Sequence, residues 1–316
     1  MKTPGGLYII RENESLPEKK GAGRVDFVEI HWYPGHMTKA KRQIAEKLKL
    51  INVAVIAVDA RAPLSTLSPD LKEQLSGKAC IVLLNKSDLA DPEQTRKWTE
   101  YYKRQFGHAL SFSATKDKPG RLVTAIREAA APVVQRYAAK GVRKTVRVLI
   151  AGIPNVGKSA IINRLVGQKS AKEGDKPGVT RGLQWVRLSD TLELLDSPGL
   201  LWPKIEPPET AERIAALGSL RSEVVDEVAL AQKLIGMLAD AAPGAMKARY
   251  GVEEGSDERK ALEDICRKRG FLLKQGEIDD QRGARALLDE FRGGKLGRIT
   301  LERCDGVADG TSVERE

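Results

Sequence analysis

One segment of the chain, Gly152-Ile153-Pro154-Asn155-Val156-Gly157-Lys158-Ser159, has the glycine, lysine and hydroxyl spacing of a phosphate-binding loop. Glycine allows such a loop to fold tightly, so that backbone N–H groups and the following helix N-terminus surround phosphate oxygens. Lys158 is then expected to contact the β and γ phosphates and act in catalysis, and the Ser159 hydroxyl to bind Mg²⁺. The other loop residues expected at the nucleotide are Asn155, Val156, Gly157 and Ala160. The alternative is an ordinary glycine-rich turn between a strand and a helix.

Two further segments predict that the bound base is guanine. Asn85-Lys86-Ser87-Asp88 follows an apolar run and has the form of the guanine-reading Asn-Lys-x-Asp motif. The Asp88 carboxylate can accept hydrogen bonds from N1–H and the 2-amino group of guanine, whereas adenine has no proton on N1. Ser113-Ala114-Thr115 resembles the loop whose backbone amide contacts the guanine carbonyl oxygen. Either segment alone could be a solvated turn, but with the phosphate loop they predict binding of GTP and GDP.

Two loops are expected to hold Mg²⁺ and to sense the third phosphate. Asp196-Ser197-Pro198-Gly199 resembles the Asp-x-x-Gly motif, in which Asp196 holds Mg²⁺ through water and the Gly199 N–H meets the γ-phosphate. Pro177-Gly178-Val179-Thr180 resembles a first switch, so Thr180 is a candidate Mg²⁺ ligand and catalytic residue. A plain loop threonine is the alternative for Thr180.

The order of these motifs is rotated, because the guanine motifs precede the phosphate loop, whereas in Ras-type proteins they follow it. The sheet stays intact if the stretch from Gln135 to Thr145 joins the old termini and the chain is cut just after Gly199. Residues 32–51 then take the place of the second switch. His36 is thereby expected near the γ-phosphate.

Catalysis needs a substitute for the glutamine that orients water in Ras-type enzymes, since Leu200 follows Gly199 here. His36 is the candidate for this water-orienting role. It could instead cap its helix or pack on Trp32 and Tyr33, and both possibilities remain open. Asn155 suggests a second hypothesis, in which its side-chain oxygen is a ligand of K⁺ beside the phosphates.

These motifs together make the chain similar to the YlqF family, ribosome biogenesis GTPase A. The resemblance covers residues 29 to about 302, and the segments that carry it, besides those above, are Trp32-Tyr33-Pro34-Gly35-His36-Met37, Asp59-Ala60-Arg61-Ala62-Pro63, Lys268-Arg269-Gly270, Gly276-Glu277-Ile278-Asp279 and Gly294-Lys295-Leu296-Gly297-Arg298. It implies a cytoplasmic bacterial GTPase that acts in late assembly of the large (50S) ribosomal subunit and binds rRNA on the precursor particle. It also implies a hydrophobic residue in place of the catalytic glutamine, as Leu200, and catalysis by His36. Tyr33 replaces the family's phenylalanine.

The elements that position these motifs predict an α/β fold. Short apolar runs read as buried strands of a parallel sheet, and helical segments separate most of them. The predicted strands are Val53 to Ala60, Cys80 to Asn85, Leu110 to Ala114, Arg147 to Ala151 and Leu192 to Leu195. From about Pro207 only helical periodicity continues, with Val224 and Val228 on a long helix and further helices at 258–269 and 280–292.

The expected architecture is therefore a circularly permuted phosphate-loop GTPase domain of Ras-like type, with an all-helical domain after it. The predicted divisions are a flexible arm at 1–28, the GTPase domain at 29–206, a basic helical domain at 207–303 and a tail at 304–316. Three scattered cysteines fit a reduced compartment. No apolar run is long enough to span a membrane, so the expectation is a cytoplasmic protein without a membrane partner.

The charge balance favours an anionic partner. The 316 residues carry 53 Lys plus Arg against 43 Asp plus Glu, a net charge of +10 and a pI near 9.4. The basic residues in the helical domain are Arg267, Lys268, Arg269, Arg282, Arg285, Arg292, Lys295 and Arg298. With few aromatic residues among them, they indicate recognition of rRNA phosphates and shape, with no DNA partner expected. A solvated helical face is the alternative.

Two other functions remain open at this stage. The GTPase could serve a different RNA client, or the chain could be a GTP-dependent scaffold that hydrolyses GTP slowly. Leu200 keeps the scaffold possible, because it cannot orient water.

Overall fold

The structure is a computed structural model that describes residues 35–167, 183–202, 205–220, 225–253, 257–305 and 307; for residues 35–41 it describes the backbone alone. The predicted N-terminal arm and the loop with Thr180 lie outside these residues.

The described residues form a six-stranded sheet in the order β3-β2-β1-β4-β6-β5. The strands are β1 (Val53–Asp59), β2 (Ala79–Asn85), β3 (Gly107–Ser111), β4 (Val146–Ala151), β5 (Gln184–Ser189) and β6 (Leu192–Asp196). Neighbouring strands run parallel except β5, which pairs antiparallel with β6. Because five strands are parallel, the loops after them meet at one carboxyl edge, where ligands bind in sheets of this kind.

Four of the predicted strands match the structure to within one residue at each end, and two features differ. The third strand begins at Gly107, three residues before the predicted Leu110. The predicted bounds were shifted towards the C-terminus because Phe112 was counted in the strand. Its side chain is buried, but it lies one residue beyond the end of β3. The edge strand β5 was not predicted, because only Val186 of its six residues is buried and the segment lacks an apolar run.

The described helices pack around this sheet and continue after it. They are α1 (Gly35–Leu48), α2 (Pro69–Gln74), α3 (Pro92–Phe106), α4 (Gly120–Ala138), α5 (Lys158–Val166), α6 (Pro208–Ala216), α7 (Glu227–Ala241), α8 (Ala245–Tyr250), α9 (Glu258–Arg269) and α10 (Asp280–Arg292). Local sequence explains the start of α3: Asp91 caps it by accepting from the Gln94 N–H, and Pro92 follows at the first helical position. Among the described residues no helix has the length and apolar character needed to cross a membrane.

Two hydrophobic clusters hold the sheet and helices together. The smaller cluster joins Val58 and Leu84 of the central strands to Trp98 and Tyr102 of α3. The larger one contains most of the sheet's apolar residues together with Ile44 of α1, and it continues without a break into the helical region. That continuity means that the helical region is packed against the sheet domain through apolar contacts.

The helical region follows the predicted pattern closely. Helices α9 and α10 have the bounds expected from the sequence, with Leu262 and Leu287 on their buried faces. Helix α7 begins at Glu227, capped by Asp226, and the expected Val224 lies outside the described residues.

The segment after α10 returns to the sheet domain, contrary to the predicted boundary and tail. Leu301 donates its N–H to the Arg61 carbonyl at 2.7 Å, and the Trp98 indole donates to the Glu302 carbonyl at 2.9 Å. Cys304 and Asp305, expected in the tail, contact Gln94 and Lys97 of α3. The C-terminal segment returns because α3 supplies polar partners, which only the folded chain brings near it.

The Glu302 side chain fixes the same segment to the loop after β1. Its carboxylate accepts the N–H groups of Leu64 at 2.7 Å and Ser65 at 3.0 Å. Burial raises the pKa of Glu302, and the bond from the Ser65 hydroxyl partly opposes that rise. The C-terminal segment is therefore a structural part of the domain that carries the predicted motifs.

Candidate nucleotide-binding site

The phosphate loop connects β4 to α5, as the sequence predicted, and its glycines are required where they stand. Gly152 has a φ of +155°, and a Cβ there would lie 2.4 Å from the Ala57 carbonyl oxygen. Gly157 has a φ of +94°, and a Cβ there would lie 2.4 Å from Nδ2 of Asn85. Helix α5 begins at Lys158, so its free N–H groups and positive dipole end face the loop. This backbone can cradle phosphate.

Lys158, the residue expected to contact the phosphates, is buried beside the phosphate loop. Its Nζ donates a 2.9 Å hydrogen bond to the Ile153 carbonyl. Burial lowers the pKa of Lys158 to about 8, although the nearby Asp196 carboxylate acts in the opposite direction. The ammonium is thus held in a site that lacks full solvation, and phosphate oxygens can replace the carbonyl as its partner.

The guanine motif is bonded directly to the phosphate loop. Asn85 donates from Nδ2 to the Val156 carbonyl at 2.7 Å, and its Oδ1 accepts the Ala114 N–H at 3.1 Å. Lys86, at a φ of +58°, donates from Nζ to the Asn155 carbonyl at 2.6 Å. One asparagine side chain therefore fixes both the phosphate loop and the loop with Ser113 and Ala114.

The groups expected to read the base lie at the same carboxyl edge. Asp88 is paired with Lys116 at 3.2 Å, on a more exposed part of the site. The Ser113 N–H is bonded to the Asp117 carboxylate at 2.8 Å, which shapes this loop. Ser87 is held through its carbonyl, which accepts from Arg298 of the C-terminal segment at 2.9 Å.

The Asp196 turn packs against the phosphate loop. Asp196 ends β6 and is 2% exposed, and the next residue, Ser197, donates to the Ile150 carbonyl at 2.8 Å. A Cβ at Gly199 would lie 2.5 Å from the Pro154 backbone nitrogen, so only glycine allows this approach. Leu200 is 6% exposed and donates its N–H to the Gly152 carbonyl. Its side chain lies in the hydrophobic core and offers no polar group.

The donor set at this edge suits Mg²⁺ bound together with a nucleotide. A hydroxyl and a carboxylate, from Ser159 and Asp196, are hard oxygen groups, which Mg²⁺ prefers. Within the described part of the chain, no group of three or more His, Cys, Asp and Glu side chains is placed to hold a metal on its own. Mg²⁺ is commonly bound by one or two protein oxygens plus phosphates and water, and these residues fit that arrangement.

Of the predicted catalytic residues Thr180 and His36, the structure describes only His36, and of that residue only the backbone. Thr180 lies outside the described residues. His36 is the second residue of α1, in a part where the backbone alone is described. Helix α1 packs on the sheet domain through Ile44.

A buried ion pair beside the site was not predicted to have a role. Asp59, at the end of β1, pairs with Arg61 at 2.8 Å and with Lys86 of the guanine motif at 3.1 Å. Burial alone would raise the pKa of Asp59, but the charges of Arg61 and Lys86 hold it well below its usual range. The signal in the sequence was an aspartate and an arginine directly after an apolar strand.

The same arginine reaches the helical region. Arg61 donates from Nη1 to the Arg292 carbonyl at 3.0 Å, and its guanidinium lies 5.4 Å from the Phe291 ring centroid. Arg292 in turn donates to the Ala216 carbonyl at the end of α6 at 2.9 Å. On the side of the phosphate loop, Asn155 donates from Nδ2 to the carbonyl of Gly218, in the turn after α6, at 3.3 Å. The nucleotide site and the helical region thus share a continuous set of hydrogen bonds.

The fold and the site define a phosphate-loop GTPase domain with permuted motifs. A family model described as "50S ribosome-binding GTPase" matches residues 147–269. The match begins in β4, so it includes the phosphate loop and Asp196 but not Asn85, as the rotated order requires.

Whole-chain similarity identifies the family. Ribosome biogenesis GTPase A of Priestia megaterium is 41% identical over 277 residues, which cover 86% of this chain and 96% of that protein. The Thermotoga maritima protein of the same name is 35% identical over 287 residues, covering 91% and 98%. The crystal structure of GNP-bound YlqF from T. maritima matches with a TM-score of 0.63 and 31% identity, covering 84% of this chain and 99% of that one. The chain belongs to the ribosome biogenesis GTPase A family: it binds GTP and GDP and hydrolyses GTP.

Proposed function

We propose that this GTPase is an assembly factor that binds rRNA on the precursor of the large ribosomal subunit in one nucleotide state and leaves it in the other. The names of its relatives and the description of the matching family model support this client. The observation that carries the nucleotide dependence is the bond from Asn155 Nδ2 to the Gly218 carbonyl, which joins the phosphate loop to the helical region. The role implies a cytoplasmic location, where bacteria assemble ribosomes.

The coupling acts through direct hydrogen bonds that are partly shielded from solvent. Binding of the third phosphate moves the phosphate loop and the Gly199 turn, and Asn155 transmits the movement to the turn after α6. Arg61 opposes independent movement of α10, because its other nitrogens are engaged by Asp59. The GTP state thereby fixes the helical region in a particle-binding arrangement, and hydrolysis releases it.

The nucleotide roles follow from the positions around the phosphate loop. Lys158 exchanges its bond to the Ile153 carbonyl for the β and γ phosphates. Ser159 would hold Mg²⁺ directly and Asp196 would hold it through water, and Thr180 would be a further ligand in the GTP state. Mg²⁺ supplies positive charge that offsets the charge developing on the phosphates.

His36 takes the role of the missing water-orienting residue. Leu200 is buried at the position after Gly199 and offers no hydrogen-bonding side chain. An imidazole can orient or deprotonate water near neutral pH, which fits this role. His36 lies at the start of α1, a helix that would take the place of the second switch.

Asn155 has a second role as a ligand of K⁺. Its backbone is held at a φ of +63°, and its carbonyl is anchored by Lys86. With Nδ2 directed to Gly218, the Oδ1 atom remains the oxygen available to a monovalent cation. Such a cation adds positive charge beside the phosphates.

The helical region, residues 207–303, binds the rRNA phosphates through a smaller set of cations than the sequence suggested. Several of its arginines have acidic partners: Arg267 pairs with Glu263 and Asp264, Arg269 with Glu290, and Arg285 with Glu227. Arg292 and Arg298 are bonded to backbone carbonyls. Arg282 and Lys295 are exposed and form neither an ion pair nor a side-chain bond to a backbone carbonyl within the described chain, so they are the better candidates for phosphate contact. Lys268 is also exposed, but its Nζ donates to the Gly251 carbonyl.

Co-sedimentation with separated large and small subunits tests the client. The full chain is expected to pellet with large subunits in the presence of a non-hydrolysable GTP analogue and to remain in the supernatant with GDP. Equal binding of both nucleotide forms would exclude the proposed coupling. Preference for small subunits, or binding only to a separate RNA, would indicate a different RNA client.

Single-turnover hydrolysis separates an enzyme from a scaffold. Large subunits are expected to accelerate GTP hydrolysis by the full chain. A rate that stays slow with and without subunits, while binding remains nucleotide-dependent, would favour the GTP-dependent scaffold.

A further inference from the structure

The edge of the sheet opposite the nucleotide is basic. Because β1, β2 and β4 are parallel, the turns that lead into them meet at the amino edge. Those turns carry cations, which we call the amino-edge surface: Lys49, Lys78, Lys140, Arg143 and Lys144. All five lie within seven positions of the first residue of the strand that follows.

The strand order makes these cations neighbours. The three strands are adjacent in the sheet, about 5 Å apart, and Val53 is the register partner of both Ala79 and Val148. Hydrogen bonds connect the turns: Lys78 Nζ donates to the Ile51 carbonyl at 3.3 Å, and Asn52 N–H to the Arg147 carbonyl at 2.8 Å. The surface is therefore continuous although its residues are distant in sequence.

The turn after α4 holds its cations in an ordered backbone. The N–H groups of Lys140 and Val142 both donate to the Tyr137 carbonyl at 3.0 Å, and Gly141 has a φ of +70°. Lys144 lies 5.0 Å from the Tyr137 ring centroid, a cation–π contact. Less conformational entropy is lost when an anion binds charges that are already positioned.

Acidic neighbours do not neutralise this surface. No member of it forms an ion pair with a described acidic residue, in contrast to the arginines of the helical region. The nearby Glu46 and Asp190 are engaged by Arg42 and Arg187. Glu193, the register partner of Arg147, is engaged by that arginine, and Glu73 lies in the last turn of α2. Cations near a helix C-terminus also stabilise the helix, which accounts for Lys49 after α1 and for the cations after α4, but not for Lys78 directly before β2.

We propose that the amino-edge surface binds RNA phosphates, so that the GTPase domain itself contacts the particle. The proposal rests on the proposed function and names a second contact for it, outside the helical region. The exposed large apolar residues beside the surface are Leu50, Val134 and Val142, and they are spread over two turns and a helix, which favours phosphate binding over insertion into a membrane. Strand β4 spans about 20 Å from this edge to the phosphate loop, so RNA and nucleotide bind without overlap.

A pair of matched variants of the full chain tests the surface. Lys140→Glu with Arg143→Glu reverses two exposed charges of the surface, and Arg96→Glu with Lys103→Glu reverses two exposed charges on α3. Three probes are used: large subunits with a GTP analogue, a duplex RNA of about 16 base pairs, and vesicles with about one-third phosphatidylserine. Thermal unfolding and basal GTP hydrolysis verify that both variants are folded and active.

The first variant is expected to bind large subunits and duplex RNA at least about tenfold more weakly than the second. The slope of its log affinity against log salt concentration should fall by the equivalent of about two phosphate contacts. If wild type pellets with large subunits and both variants do so equally, the surface is excluded and the proposed function stands. If wild type fails to bind subunits but the first variant alone loses duplex RNA, the proposed function fails and the surface is supported. Loss of vesicle binding with unchanged RNA binding would overturn the proposal.

Discussion

The Arg61 guanidinium and the Arg292 carbonyl oxygen, 231 residues apart in sequence, are joined by a hydrogen bond of 3.0 Å. Arg61 lies two residues after Asp59, the last residue of β1, and Arg292 ends the last helix of the helical region. Since Asp59 also pairs with Lys86 of the guanine motif, one buried arginine connects the base-reading loop to the far end of the chain.

Replacing Arg61 is therefore expected to destabilise the protein strongly. Arg61→Ala leaves the Asp59 carboxylate buried with Lys86 as its remaining cationic partner, and loss of one member of a buried pair costs about 3–5 kcal/mol in the free energy of unfolding. Arg42→Ala is the control, because the Arg42–Glu46 pair is exposed and is expected to change stability by less than about 1 kcal/mol. Chemical denaturation measures both; equal midpoints would contradict the role of Arg61.

The stability lost in Arg61→Ala is expected to depend on pH in one direction. The folded-state pKa of Asp59 is depressed, so its ionised form stabilises the fold above the unfolded value of 3.8, and this stabilisation is lost as the pH falls below it. The difference between wild type and Arg61→Ala should consequently narrow below about pH 4.

Gly218 tests the link between the phosphate loop and α6. A Cβ at this residue would lie 3.2 Å from both Asn155 Nδ2 and Arg292 Nε, so Gly218→Ala should displace the α6 turn from the loop. Gly244→Ala is the matched control, since Gly244 has a similar φ of +88° but no atom within 4 Å of an added Cβ. Hydrogen exchange of α6 should respond to a GTP analogue in wild type and in the control, and less in Gly218→Ala. The same response in all three would exclude this route.

Sequence and structure agree where a single segment determines the outcome. Helices α9 and α10 were predicted because their apolar residues repeat at helical spacing, and the buried strands β1 and β2 because they are short continuous apolar runs. The phosphate and guanine motifs were predicted because chemistry fixes their residue types. Strand β5 was missed because an edge strand buries few side chains.

The features that sequence did not reveal depend on contacts between distant segments. Nothing near Arg61 indicates that it reaches Arg292. A count of cations cannot separate Arg269, paired with Glu290, from Lys140, which forms no ion pair with the acidic residues that the structure describes. The return of residues 301–305 to α3 is of the same kind.

Lys158 predicts a proton linkage of nucleotide binding. In the nucleotide-free protein burial lowers the pKa of Lys158 to about 8, and phosphates favour the protonated amine. Between about pH 8 and the higher pKa of the complex, GDP binding should take up a proton, and affinity should fall as the pH rises. Calorimetry in two buffers of different ionisation enthalpy should detect this uptake at about pH 8.5 and little at about pH 7. If the number of protons taken up on GDP binding is the same at both pH values, Lys158 does not change its protonation on binding.

The K⁺ hypothesis predicts faster GTP hydrolysis in KCl than in NaCl for wild type, and no difference for Asn155→Ala. The physical reason is that Asn155 supplies the oxygen that holds the cation beside the phosphates. Multiple-turnover rates at equal ionic strength provide the measurement. Equal wild-type rates in the two salts would remove the hypothesis.

His36 carries the catalytic prediction. His36→Ala is expected to lower the GTP turnover by about 10²- to 10⁴-fold, the usual contribution of a positioned acid or base, while GTP affinity stays nearly constant. His108→Ala is the matched control, because His108 lies in β3 and a role in hydrolysis is not expected. The comparison depends on Leu200, whose buried side chain cannot compensate for a lost imidazole. If His36→Ala and His108→Ala hydrolyse GTP at the same rate, another group orients the attacking water. If His36→Ala loses GTP affinity in parallel with turnover, His36 acts in nucleotide binding instead.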